Sequence, residues 1–253
     1  MGLFDKLRGK KKEEILPPID LSIFGADMHS HLIPGIDDGS KSMDESIAMI
    51  AKFQSLGYKK LITTPHIMGD FYKNTPEIIL GGLEQVKSTA KQLGLSIELE
   101  AAAEYYFDES LVHRLKTKEK LLTFGDNHVL FEFSMLSKPD QIENLLFELL
   151  TLGYKPVLAH FERYTFYFGS VDQAHKWREN GIDIQVNLNS LSGHYGSDVR
   201  KQVERLIDEK AVDFASSDCH RIDHLMILER NLGLPYMHKL VELDLKNNSL
   251  LLK

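Results

Sequence analysis

From residue 25 onward the apolar and polar positions switch between two periods. Short apolar, often β-branched runs occur at "ADMHSHL", "KKLITTPHI", "LSIELEAAAEYY", "NHVLFEFS", "KPVLAHFERY", "IDIQVNLNS" and "VDFASSDCH". Runs of this length, bounded by Gly, Pro and polar residues, read as strands. Between them lie stretches of helical period. "SMDESIAMIAKFQSLG" predicts a helix with Met43, Ile47, Ile50 and Ala51 on one face and Gly57 as its stop. "KPDQIENLLFELLTLG" predicts another, burying Ile142, Leu145, Leu146, Leu149 and Leu150 and stopping at Gly153. Further helical patterns fall near "VRKQVERLIDEK" and after residue 224. Strand followed by helix, repeated, predicts parallel pairing through right-handed crossovers. Seven such runs, with no Pro/Gly/Ser-rich linker between them, predict one α/β domain over 25–253.

The polar residues recur at one place in this pattern. His29 and His31 close the first run, His66 the second, Glu104 the third, Glu132 the fourth and His160 the fifth. Asn187 and Asn189 close the sixth, and Asp218 and His220 the seventh. In a closed parallel sheet all strand C-termini open onto one face, where such enzymes keep their chemistry. A single strand-end histidine is equally a hydrogen-bonded structural group, but six runs ending in His or carboxylate converge on a site. Strand alternation turns His29 and His31 one way and Ser30 the other, and separates Asp218 and His220 from Cys219. "PGIDDGS" adds Asp37 and Asp38 close behind the first pair. Carboxylates crowded in a low dielectric are costly unless cations share the space. With no thiolate in the set, divalent Mn, Fe, Mg or Zn in a hydrolytic site fits better than a structural zinc.

Composition narrows the setting. Fractions of 43% hydrophobic and 26% charged argue against disorder, and a net charge of −7 implies no nucleic-acid partner. One cysteine excludes an internal disulfide and suits a reducing compartment. No apolar run approaches the roughly 18 residues of a membrane span, and no secretory segment is apparent, so a cytoplasmic location is expected. Residues 1–24 read as a flexible basic extension. Lys6 stands where a myristoylation signal has Ser or Thr, which excludes lipidation at Gly2. Leu3, Phe4 and Leu7 among the lysines allow a basic amphipathic turn, the alternative being a frayed tail. His113, His128, His175 and His238 are expected at the surface and His194 in a solvated loop, while His224 lies at helical ligand spacing from His220.

"DMHSH", "TTPH", a strand-end Glu, "FEFS", "AHFERY" and "SSDCH", in that order, resemble the polymerase-and-histidinol-phosphatase (PHP) superfamily. Within it, "HSHLIPGIDDGSKSMDESIAMI" and "LAHFERY" are similar to the bacterial manganese-dependent protein-tyrosine phosphatases of capsule and exopolysaccharide synthesis, the CpsB type. The resemblance implies a distorted (β/α)7 barrel, three metal ions, and hydrolysis of phosphotyrosine on the tail of a membrane-associated bacterial tyrosine kinase. By position it assigns His29, His31, Glu104 and Asp218 to one metal. Glu104 then bridges to a second, held also by Glu132 and His160, and Asp38, His66 and His220 hold the third. Asp37 falls outside that set, as a turn residue or a support for a ligand. Arg163 matches an arginine that contacts phosphate, the alternative being a surface ion pair with Glu162. Arg221, placed directly after His220, is a candidate for a second. Among Tyr105, Tyr106, Tyr164, Phe166, Tyr167 and Phe168, one or two are expected to flank a substrate ring and the rest to pack. The rival readings on the same barrel are a small-molecule phosphatase such as histidinol-phosphatase, and a metal-binding regulatory module without catalysis.

Overall fold

Nine short strands form in the computed structural model, which describes residues 15–252. They are β1 (Ala26–Asp27), β2 (Lys60–Thr63), β3 (His66–Ile67), β4 (Glu98–Ala101), β5 (Glu104–Tyr106), β6 (His128–Glu132), β7 (Lys155–Leu158), β8 (Asp183–Asn187) and β9 (Phe214–Ser216). The second and third runs of the sequence each supply two strands. Pro65, with no N–H for the ladder, interrupts the second run. Pairing continues across the break, because Thr63 O accepts from Ala102 N–H at 2.9 Å and Pro65 O from Glu104 N–H at 3.1 Å.

Every ladder is parallel, in sheets ordered β1-β2-β4 and β3-β5-β6-β7-β8-β9. The first and seventh runs also meet: His31 N–H donates to Cys219 O and Asp218 N–H to His29 O, both at 2.9 Å. The seven runs therefore follow one another round a ring, the expected distorted (β/α)7 arrangement. Lower on this seam a side chain replaces the ladder. Buried Asn247 donates to Ala26 O (3.0 Å) and Ala215 O (2.8 Å) and accepts from Ala215 N–H (3.0 Å).

Alternation along the strands divides the core. Ala26, Met28, Ile62, Ala102, Leu130, Val157, Ala159 and Phe214 belong to one apolar cluster, with Phe124 and Leu250. Their neighbours Leu61, Val129, Phe131, Leu158, Ile184 and Ala215 belong to the other, against the helices. Glu104, Glu132 and Asp218 share the parity of Ala102, Leu130 and Phe214, so the polar site continues the inward-facing series.

The helices are α1 (Met43–Ser55), α2 (Pro76–Gln92), α3 (Glu109–Lys116), α4 (Ile142–Thr151), α5 (Asp172–Glu179), α6 (Ser197–Asp208), α7 (Ile222–Arg230) and α8 (Pro235–Val241). α4 buries Ile142, Leu145, Leu146 and Leu149 as expected, although Leu150 is 37% exposed. α1 is rotated from the expected stripe. It buries Ser46, Met49, Ile50 and Phe53, leaving Met43 and Ile47 partly buried at the edge. The large Phe53 side chain, outside the expected set, centres the face. Gly57, at φ +102°, ends the chain's helical path as predicted.

Of the extension anticipated over 1–24, residues 1–14 lie outside the described residues. Residues 15–24 are part of the fold: Leu16 N–H donates to Gly233 O, Ile19 N–H to Leu232 O, and Leu21 and Phe24 are buried. His128, expected at the surface, is buried at the start of β6, stacked on Phe124 and edge-on to Phe214.

The seam yields a stability test. Asn247→Ala leaves the Ala26 carbonyl and both Ala215 backbone groups without their side-chain partner. A loss of about 1–3 kcal/mol is expected, read by urea unfolding, because buried polar groups left unpaired carry that penalty.

Candidate metal centre

The site lies where the runs end, and local backbone geometry aims its side chains. His160 and Asp218 adopt left-handed conformations, φ 37° and 50°, which bulky L-residues rarely take. Each is pinned: His160 N–H donates to Gln185 Oε1 at 2.7 Å and Asp218 N–H to His29 O at 2.9 Å. The "DDGS" turn folds directly against His31. A Cβ on Gly39 would stand 2.4 Å from both Cβ and O of His31, so only glycine fits there.

All nine expected metal-site residues converge. Glu104 is the centre of the group. Its Oε2 lies 3.2 Å from His29 Nε2, 3.5 Å from His31 Nε2 and 3.1 Å from His66 Nδ1, and its Oε1 lies 3.2 Å from His160 Nε2. Glu132 approaches His66 Nδ1 at 3.3 Å and His160 Nε2 at 3.4 Å. Asp218 Oδ1 faces His29 and His31 at 3.3 and 3.6 Å, and His220 Nδ1 at 3.4 Å. Asp38 Oδ1 faces His66 Nε2 at 3.5 Å and His220 Nε2 at 3.4 Å. Three sets of donor atoms lie mutually within 4.8 Å: His31, Asp38, His66 and His220; His29, His31 and Glu104; and His66, Glu104 and Glu132. His66 therefore stands between two groups through its two ring nitrogens.

Neighbours fix which nitrogen faces the centre. His31 Nδ1–H donates to Asp37 Oδ2 at 2.8 Å, leaving Nε2 buried and without a hydrogen-bond partner. His29 Nδ1–H donates to Gln185 Oε1 at 3.2 Å, which turns its Nε2 lone pair toward Glu104. Gln185 in turn donates to Asn187, and Asn187 to Asp218 Oδ2 at 2.7 Å. A ring-nitrogen lone pair facing a carboxylate oxygen needs a proton or a cation between them. Burial opposes charge on His160, yet Glu104 and Glu132 raise its pKa to about 10. Burial likewise opposes ionisation of Glu104, but His29 and His66 hold its pKa well below the ordinary carboxylate range. A donor set of imidazole and carboxylate, with orphaned nitrogens aimed inward, fits divalent cations.

A cleft of about 440 Å³ opens over the centre. Beyond the centre itself, it is lined by Arg163, His194, Tyr195, Arg221 and His224. Arg163 Nη1 donates to Asp218 Oδ2 at 3.3 Å and makes no pair with Glu162, which is buried and accepts from Asn187 N–H and Ser190 Oγ. His194 is exposed, as expected of a solvated loop, and stands at the rim against Tyr195 and His224. His224 is buried, and burial with its neighbour His220 pushes its pKa down to about 4. Cys219 turns away as alternation required, its Sγ 3.6 Å from Met49 Sδ on α1, and burial pushes its thiol up.

Two expectations about aromatic residues change. None of the six anticipated candidates lines this cleft: Tyr105 and Tyr164 are core residues, and Phe166 and Tyr167 pack against the core. The lining aromatic is Tyr195, which the sequence reading missed together with Gln185. Gln185 lies two residues before Asn187 on the same strand face, and that period-2 spacing was the available signal.

The sequence pattern of capsular polysaccharide synthesis proteins, CpsB/CapC, matches residues 25–240. The chain belongs to the CpsB/CapC family. Among relatives, tyrosine-protein phosphatase YwqE of Bacillus subtilis (strain 168) is 28% identical over 88% of this chain and 92% of its own. Tyrosine-protein phosphatase CpsB of Streptococcus pneumoniae is 28% identical over 78% of this chain and 83% of its own. A solved structure among those of YwqE and CpsB, which are metal-dependent tyrosine phosphatases, superposes with a TM-score of 0.75 at 25% identity. It covers 89% of this chain and 94% of that one. An amidohydrolase from Mycoplasma synoviae, at TM-score 0.55 and 12% identity, shares the fold alone.

The orientation of His31 supplies the next test. Asp37→Ala removes the acceptor for Nδ1–H, so Mn²⁺ titration of metal-free protein is expected to show affinity roughly 10–100-fold weaker. Unchanged affinity would mean that Asp37 only shapes the turn.

Proposed function

We propose that this chain is a metal-dependent protein-tyrosine phosphatase that acts on the phosphotyrosine tail of a membrane-associated bacterial tyrosine kinase controlling capsular or exopolysaccharide synthesis. The observation that carries this reading is a buried His/carboxylate centre at the base of an open cleft, with Arg163 held beside it by Asp218. Manganese is the proposed metal, with Fe, Mg or Zn as alternatives, and three ions the proposed number. His29, His31, Glu104 and Asp218 would hold one, Glu104, Glu132 and His160 a second, and Asp38, His66 and His220 the third. The distances around Glu104 and Asp38 support these groupings. His66, whose Nδ1 also approaches Glu132, is the residue placed to serve two of them.

Such ions supply Lewis acidity toward a phosphoryl group and a nucleophile at neutral pH. The chain's own residues set the geometry. Arg163, the proposed phosphate contact, offers a planar fork to the phosphoryl oxygens and stabilises charge that grows on them in the transition state. Asp37 and Gln185 keep the histidine rings in coordinating orientation. A tyrosine phenolate, with pKa near 10, leaves with little protonation. Burial lowers the pKa of His194 and His224 in the cleft lining. Such neutral histidines are no obstacle to that substrate, whereas an alkyl phosphate depends more on a general acid.

Four measurements test this reading. With manganese-loaded protein, kcat/KM is expected to be highest for a phosphotyrosine peptide, much lower for a phosphoserine peptide and low for histidinol phosphate. A clear win for histidinol phosphate would replace the assignment. Cys219→Ser should keep most activity, while chelation should abolish it and Mn²⁺ restore it. His66→Ala and His160→Ala should lower metal content as well as turnover. Arg163→Ala should leave metal content near normal and cut kcat by roughly 10²-fold.

A further inference from the structure

Arg163 is held from two sides. Its Nη1 donates to Asp218 Oδ2 at 3.3 Å, and its Cζ lies 4.5 Å from the centre of the Tyr195 ring. The other oxygen of Asp218 faces His29 and His31, so this carboxylate ties the guanidinium to the metal centre. A single ion pair fixes one nitrogen but leaves the guanidinium plane free to rotate about it. An aromatic face removes that freedom, since a cation over a ring is attracted along the ring normal.

Tyr195 reaches Arg163 from a different unit of the barrel. Arg163 follows β7 directly, whereas Tyr195 sits in the connection from β8 to α6, between Gly193 at φ +77° and Gly196 at φ +107°. Those two glycines give the connection the left-handed turns that carry the ring back over the cleft. Tyr195 lines the cleft beside Arg163, so the stacked pair forms part of its wall.

We propose that Tyr195 is a positioning residue: its ring face fixes the plane of the Arg163 guanidinium so that the remaining donors point at the phosphoryl oxygens. This rests on the reading of Arg163 as the phosphate contact. The ring, not the hydroxyl, carries the effect. A guanidinium held in one plane meets the phosphoryl group without reorganising, and loss of that order lowers the rate more than it weakens folding.

The test compares Tyr195→Phe, Tyr195→Leu, Arg163→Ala and the double variant Tyr195→Leu/Arg163→Ala, all manganese-loaded, on one phosphotyrosine peptide. Tyr195→Phe is expected to stay within about twofold of the parent. Tyr195→Leu is expected to lose roughly tenfold in kcat and to weaken inhibition by inorganic phosphate by a similar factor. Its metal content and Tm should match the parent. In the Arg163→Ala background, Tyr195→Leu should have no further effect, because its target is gone. Multiplying losses in the double variant would overturn the proposal, as would a Phe variant as slow as the Leu variant, or a Leu variant that loses metal. If Arg163→Ala alone keeps full activity, the phosphate-contact reading itself falls. An impaired Arg163→Ala enzyme without coupling to Tyr195 sinks only the positioning role.

Discussion

Glu104 is the group on which the arrangement depends. Its carboxylate is buried among four histidines, His29 and His31 from the first run, His66 from the second and His160 from the fifth. A lone carboxylate taken out of water is prohibitively expensive, and its cost is offset only by positive charge or donors at close range. The closed ring is the means of supply. Parallel strands that all point one way deliver side chains from separated stretches of sequence to one end. The apolar plug beneath, including Leu130, Val157 and Phe214, keeps the surroundings dry. Dryness then makes each orienting hydrogen bond count, because electrostatic interactions strengthen as the local dielectric falls.

The ring's construction was legible wherever side-chain chemistry and strand period agreed. Polar residues at strand ends marked the site, since His and carboxylate have no place in an apolar run without a partner. Alternation anticipated that Cys219 faces the core. β9 ends at Ser216, however, and the left-handed Asp218 and the bridge from Cys219 to Ser30 are what set it there. Other features had no local signature. The rotation of α1 onto Phe53 and Met49 depends on which neighbours supply the deepest pocket, and a helical wheel does not contain them. The burial of His128 depends on Phe214, 86 residues further along the chain, which closes edge-on over a ring already stacked on nearby Phe124. The seam through Asn247 joins residues 26 and 215, a pairing that no short pattern encodes. Tyr195 escaped for the same reason: its partner Arg163 belongs to another unit.

Two strained backbone positions stand where chemistry is expected. Non-glycine residues in left-handed conformations cost on the order of 1–3 kcal/mol each and persist only when their surroundings over-determine them. His160 and Asp218 are two of the five such residues described, and both bring a side chain to Glu104 or to its histidines. Gln185 links the two positions. It accepts from His160 N–H and, through Asn187, reaches the Asp218 carboxylate. One side chain of β8 thus helps hold two strained ends of neighbouring runs, which explains why an uncharged residue sits at the middle of the charged centre.

The two ends of the ring show why charge pairing, and not cavity size, identifies the site. The end where the strands begin has the larger cavity, about 830 Å³ against 440 Å³. It also carries Lys155, Arg178, Asp183 and Lys246. There, however, opposite charges satisfy one another: Arg178 binds Asp213 through two nitrogens, Lys246 pairs with Asp183, and Lys155 with Asp126. Lys60, buried at the start of β2, is likewise spent on Glu100 and on Leu250 O. The opposite end gathers histidines around buried carboxylates, with ring nitrogens on both His31 and His66 left without a hydrogen-bond partner. Among the described residues at the strand beginnings, only His128 Nδ1 is so left. A set of cation ligands requires several lone pairs converging on two buried carboxylates, not a single unpartnered atom. In closed parallel barrels that division follows the strand direction, with stability at the beginning of the strands and chemistry at their ends.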